Sequence, residues 1–207
     1  MTTDRAEALR RPLERDPLVA GLAPEQLALL RRMPKAELHL HLDGSLRPAT
    51  ALELARERAL DAGMDVAEMA ARLIGPEHAA DQAELLLAFD LPIAILQDAE
   101  SLTRVSHELV EDVATDGTRY VEIRWGPALH VERGLSLREG IAAVIAGARS
   151  GTAAVCSGGG PGITVRLIAV ALRSHAPATS VDVARQAARF LGDGLTGFDL
   201  AGGEAAF

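Results

Sequence analysis

ELHLHL, Glu37 to Leu42, alternates polar and apolar residues without interruption. Successive side chains of an extended chain point to opposite faces, so the run reads as a strand. Glu37, His39, His41 and then Asp43 share one face, while Leu38, Leu40 and Leu42 share the other. Gly44 and Ser45 break the pattern. Pro48 is placed for the first turn of a helix reaching about Leu60. Three later runs repeat the theme as strands: YVEIRW (Tyr120 to Trp125), Ile163 to Ala171, and Leu195 to Leu200.

Helices are expected between these strands. A short one spans Pro24 to Arg32, stopped by Pro34. Two more fall around 65–74 and 81–89, separated by Gly75-Pro76. From about Asp98 to Asp116, Leu102, Val105, Leu109 and Val113 recur at helical spacing, and Gly117 ends the pattern. Ser136 with Glu139 forms a capping box for a helix carrying Leu137, Ile141, Val144, Ile145 and Ala148. Residues 151–162 hold five glycines and a proline, which predicts a loop. Ser180 is expected to cap a helix with Val181, Ala184, Ala187, Ala188 and Leu191, closed by Gly192 and Gly194.

Strands alternating with helices define an α/β chain with a parallel sheet and right-handed crossovers. Spacing alone leaves open whether the sheet closes. A complete eight-stranded (β/α)8 barrel takes about 250 residues, so four strands make half of one. The organisation expected is an N-terminal arm and short helix over 1–33, then an incomplete barrel over 34–207. Half a barrel leaves two sheet edges and part of the helix-facing layer uncovered.

The chain has 207 residues, 29 acidic against 21 basic, and a net charge of -8. Such a surface disfavours nonspecific contact with a nucleic-acid backbone and leaves small neutral ligands open. Aromatic residues are only 3% of the chain, so Leu, Ile, Val and Ala must fill the core. Cys156 is the only cysteine, so no internal disulfide is possible. No signal-peptide run opens the chain, and no stretch of about 18 continuous apolar residues marks a membrane span. These readings together point to the cytoplasm.

His39-Leu40-His41 is the strongest local chemical signal. Two imidazoles on one face of a strand can bind one metal ion, and zinc takes neutral imidazole nitrogen readily. Asp43 continues that face at the strand's C-terminal end, where barrel active sites lie. Catalytic zinc usually takes three protein ligands, so the pair needs company. His78, His107, His130 and His175 qualify by residue type, but none carries a pairing signal. Spacing alone also admits two ordinary strand histidines.

Pro34 to Pro48, PKAELHLHLDGSLRP, resembles the opening signature of the adenosine deaminase family. Tyr120 to His130 (YVEIRWGPALH), Val165 to His175 (VRLIAVALRSH) and Gly197 to Glu204 (GFDLAGGE) are similar to the family's second, third and fourth strand segments, in the same order. The resemblance implies a distorted eight-stranded barrel that hydrolyses the amino group from a purine ring. It implies Zn2+ as cofactor, with His39 and His41 as ligands. It implies that Asp43 contacts the sugar of a bound nucleoside and that Gly202 offers its backbone N–H to a purine ring nitrogen. A zinc-activated water would attack the carbon bearing the amino group while an acid protonates the ring nitrogen. Adenosine, giving inosine and ammonia, is the favoured substrate. Adenine and a 6-amino-deoxyfutalosine-type nucleoside are the alternatives.

The sequence departs from the family in two respects. The His-Ala-Gly-Glu segment, a later histidine and a late aspartate pair have no counterpart here. No catalytic acid-base residue is therefore assigned, and the resemblance places these groups beyond Phe207. Gly203 replaces a commonly acidic residue, and Glu204 is read as loop support. Glu122, Arg124, Arg173 and His175 are read as supporting groups. A competing expectation is a catalytically incomplete half-barrel that pairs with a complementary half or with itself, inactive alone. No nucleic-acid or membrane partner is expected.

Overall fold

A computed structural model describes residues 21–75, 78–159 and 161–203. Residues 1–20 of the expected N-terminal arm, Pro76, and the last four residues from Glu204 to Phe207 lie outside the described residues. The loop role expected of Glu204 and the acid-base groups expected beyond Phe207 therefore have no structural counterpart here. The chain divides into two compact units, one ending at Lys35 and one beginning at Ala36.

In the first unit, helix α1 (Pro24–Arg32) starts with proline at its first position, where a missing N–H costs nothing. The second unit alternates as the pattern of apolar residues predicts. Strand β1 (Lys35–His41) leads to α2 (Pro48–Glu57) and α3 (Val66–Leu73). Three short segments follow: α4 (Gln82–Leu86), a 3-10 turn over Leu87–Phe89, and α5 (Asp90–Ile95). Then come α6 (Ala99–Thr115), β2 (Thr118–Trp125), a 3-10 turn over Pro127–His130, α7 (Leu137–Ser157), β3 (Thr164–Leu172), α8 (Pro177–Ala188) and β4 (Leu195–Ala201).

The four strands form one sheet in the order β1-β2-β3-β4. β2 runs parallel to β3 and β3 parallel to β4. The fold is therefore α/β and matches the first four units of a barrel. Its outer face meets the helices. On β2, Val121, Ile123 and Trp125 are buried there, while Tyr120, Glu122 and Arg124 face the concave side. The register of β4 shifts by one residue between Leu167 and Ile168, so that Leu195 pairs with Leu167 but Gly197 pairs with Ile168.

Helices α6 and α7 supply most of the cover. They approach so closely that a Cβ on Gly147 would lie 2.2 Å from the Thr103 carbonyl oxygen, and one on Gly151 2.7 Å from that of His107. Ser106 Oγ donates to the Val144 carbonyl at 2.9 Å across this contact. The loop expected over 151–162 is therefore corrected: α7 continues to Ser157. Glycine is a poor helix former, but close packing against α6 compensates. Among the described helices, α7 alone has the length and composition of a membrane span. Its Ile141, Val144, Ile145 and Ala148 are buried in the core.

Two further corrections concern helix starts. α8 opens at Pro177 with Ala176 as its cap, not at Ser180. Proline's fixed φ suits the first helical turn. Helix α5 was not among the expected helices; Pro92 lies within it, and in a first turn that residue breaks no intrahelical bond. Ser136 and Glu139 form the expected capping box.

The two outer strands carry exposed apolar side chains. Leu38 on β1 is 58% exposed, and Phe198 and Leu200 on β4 are 47% and 46% exposed. These lie where a closed barrel would have further helices.

Candidate active site

The end of β1 positions the site. The Leu42 amide donates to the Arg124 carbonyl at 2.9 Å, tying this end to β2. Ser45 then turns the chain back, its hydroxyl donating to the His41 carbonyl at 2.5 Å. The turn carries Asp43 inward to 3% exposure.

His39 and His41 come together. Their Nε2 atoms lie 3.2 Å apart, and their rings stack at 5.2 Å between centroids. Asp43 joins them, with Oδ1 3.7 Å from His41 Nδ1. On the other side of His41, the Phe89 ring leans at 5.4 Å between centroids. Gly44 leaves room for it, since a Cβ there would lie 3.2 Å from Phe89 Cε1.

The concave face around His39 is charged. Arg124 Nη1 pairs with Asp199 Oδ2 at 3.0 Å, linking β2 to β4. Tyr120 donates to Glu122 Oε1 at 2.7 Å. Desolvation, then the Arg124 charge and the His41 ring, hold the His39 imidazole below its ordinary value. A ring so placed is neutral and has a lone pair free near neutral pH, as metal ligation requires. The two converging Nε2 atoms thus fit a zinc ion as two of its ligands. No group of three or more His, Cys, Asp or Glu side chains gathers for a metal among the described residues.

Gly202 stands apart from this group, beyond the end of β4, the opposite outer strand. Its φ of +107° is one that side chains rarely adopt, and a Cβ there would meet the Arg173 backbone at 3.6 Å. Arg173 donates to the Leu200 carbonyl at 2.9 Å and steadies this loop. Gly202 therefore presents bare backbone at the same end of the sheet as the histidines. Arg124 and Arg173 have the supporting placement expected of them.

Residue type alone could not single out His130. It lies in the turn after β2, 1% exposed, with Nε2 3.9 Å from Asp43 Oδ2 and Nδ1 2.8 Å from the Leu96 carbonyl. Its position just past a strand end was the available signal. Phe89 gave none, because its turn is irregular.

The adenosine deaminase family model matches residues 34–207. The chain belongs to the adenosine deaminase family. An adenosine deaminase of Mycobacterium avium is 43% identical over 185 residues, covering 88% of this chain and 50% of that protein. Among solved structures, Arabidopsis ADAL complexed with GMP is 30% identical with a TM-score of 0.70, covering 86% of this chain and 52% of that one. An amidohydrolase from Burkholderia ambifaria with bound Zn shares the fold, at TM-score 0.74 and 24% identity, over 92% of this chain and 49% of that one. The chain spans about half the length of the curated adenosine deaminases it matches.

Proposed function

We propose that this chain provides the histidine-pair half of a zinc-dependent hydrolase that converts adenosine and water to inosine and ammonia. The observation that carries this reading is the 3.2 Å approach of His39 Nε2 to His41 Nε2 at the C-terminal end of β1, in a chain of the adenosine deaminase family.

His39 and His41 would hold the zinc through these nitrogens. A zinc ion there supplies the Lewis acidity that makes water a nucleophile near neutral pH. The chain's own residues bind and orient. Asp43, a buried acceptor beside His41, takes a hydrogen bond from a nucleoside hydroxyl. Gly202, with no Cβ, lets the purine approach its backbone N–H. Catalytic zinc typically has three protein ligands, and the group that protonates the ring nitrogen is not assigned among these residues. Turnover on this reading needs the remaining strands of the barrel.

The test compares two proteins given zinc and adenosine. One is the 207-residue chain; the other is a fusion appending, after Phe207, the second half of the Mycobacterium avium relative. Inosine and ammonia should form only with the fusion, and His41→Ala should abolish them. A folded, zinc-loaded fusion that leaves adenosine intact would sink the reading.

A further inference from the structure

Three successive backbone carbonyls at the end of β4 accept from one residue, Arg173. Its backbone amide donates to the Ala201 carbonyl at 2.8 Å. Its guanidinium Nη1 donates to the Leu200 carbonyl at 2.9 Å and, less closely, to the Gly202 carbonyl at 3.4 Å. Arg173 is itself fixed just past β3, where the His175 amide closes a turn on the Leu172 carbonyl at 3.1 Å. Gly202 packs directly on it: a Cβ there would lie 3.6 Å from the Arg173 nitrogen and 3.7 Å from the Arg173 Cβ.

These bonds bracket a single N–H. The peptide joining Ala201 to Gly202 is trans, so its N–H points opposite to its carbonyl. With that carbonyl turned to β3, the Gly202 N–H points out of the ladder. The peptides before and after it are gripped through the Leu200 and Gly202 carbonyls. One peptide earlier, the Leu200 amide donates to Asp199 Oδ1 at 2.8 Å, and Asp199 is anchored by Arg124. Gly202-Gly203 holds no direction unaided, because two glycines have more backbone freedom than any other pair. The aim of this N–H therefore comes from outside the loop, and the Arg173 guanidinium supplies it.

We propose that Arg173 is a positioning residue for base binding: by holding the carbonyls on either side, it directs the Gly202 N–H at a purine ring nitrogen. The consequence for the purine rests on the function proposed above; the order of the Gly202 backbone does not. N1, next to the reacting carbon, takes the proton and N9 carries the sugar, so N3 and N7 are the acceptors left.

Arg173→Met removes every donor of the side chain, and Arg173→Lys returns one cationic donor. Both go into the zinc-loaded fusion described above. In Arg173→Met the KM for adenosine should rise about 2–10-fold, the worth of one hydrogen bond. The kcat should not change, as for binding shared by the ground and transition states, and neither should zinc affinity. Arg173→Lys should recover part of the loss. The same comparison with 3-deazaadenosine and 7-deazaadenosine, read as KM or as competitive inhibition, identifies the acceptor: with one of the two, Arg173→Met should cost nothing. An unchanged KM, a matching fall in kcat or zinc affinity, or an equal loss with both analogues overturns the proposal.

NMR relaxation of the 207-residue chain, labelled with nitrogen-15 at glycine, gives a reading independent of zinc and substrate. The Gly202 amide should have an order parameter of about 0.85, falling below about 0.6 in Arg173→Met. A mobile Gly202 amide in the unsubstituted chain, or one unmoved by the substitution, overturns the proposal whatever the kinetics show. Should Arg173→Met not fold, the order parameter of the unsubstituted chain decides. A folded, zinc-loaded fusion that leaves adenosine intact sinks the proposed function instead and leaves relaxation to judge this one.

Discussion

His39 Nε2 and His41 Nε2 approach to 3.2 Å while Asp43 occupies the Nδ1 side of His41. The pair therefore presents two nitrogens to one point instead of to separate partners. Replacing either ring by alanine should reduce zinc affinity by at least about tenfold, since each is one of the two ligands this chain is proposed to supply. Isothermal titration with zinc checks this. Equal affinity in His39→Ala would show that any bound metal sits elsewhere.

The contact between α6 and α7 makes an opposite pair of glycine predictions. Gly147→Ala drives a methyl group to 2.2 Å from the Thr103 carbonyl, so the helices must part. We expect a loss of roughly 1–3 kcal/mol, as for other overpacked cores. Gly140 lies in the same helix, but its added methyl meets Leu135 at an ordinary 3.4 Å. Gly140→Ala should be neutral or stabilise by up to about 1 kcal/mol through helix propensity. Urea unfolding of both variants resolves the difference.

Asp98 caps α6, accepting from the Ser101 amide at 2.8 Å. Burial pushes its carboxyl up, but hydrogen bonds from Ser101 and the Arg58 charge outweigh this and hold it below the usual range. A depressed carboxylate contributes its stability above the unfolded value, about 3.9, and loses it as pH falls through the folded one. Asp98→Ala should cost about 1 kcal/mol at pH 7. The gap between the two proteins should narrow as pH drops below about 4. A gap that stays constant down to pH 2 would remove the charged cap from the account.

Leu38 and Phe198 lie exposed on the two outer strands, and open strands with apolar side chains invite association. The paired substitution Leu38→Lys and Phe198→Glu should lower self-association at high concentration. Sedimentation should then give a mean mass nearer that of one chain. An unchanged distribution would place any association surface elsewhere.

The strands and long helices were legible because their signals are local. ELHLHL alternates with period two, and Leu102, Val105 and Leu109 repeat at helical spacing. The partnership of His39 with His41 was readable for the same reason: it lies within one strand. Gly151 misled because composition cannot show that a neighbouring helix will press against it. His130 was unreadable as a partner of Asp43 because their proximity depends on two connections, one after β1 and one after β2. Neither connection has a period.

The register shift at Leu167 and Ile168 reaches well beyond those residues. One additional residue, Thr196, is accommodated in β4, its hydroxyl donating to the Leu167 carbonyl at 3.3 Å. Everything downstream inherits the resulting parity. Asp199 consequently looks into the concavity where Arg124 can reach it, and Phe198 looks away. Straightening the strand with that residue retained would exchange them, delivering a benzyl group beside the guanidinium and a carboxylate to the helical side. The charge balance next to His39 thus depends on a bulge three residues upstream of Asp199.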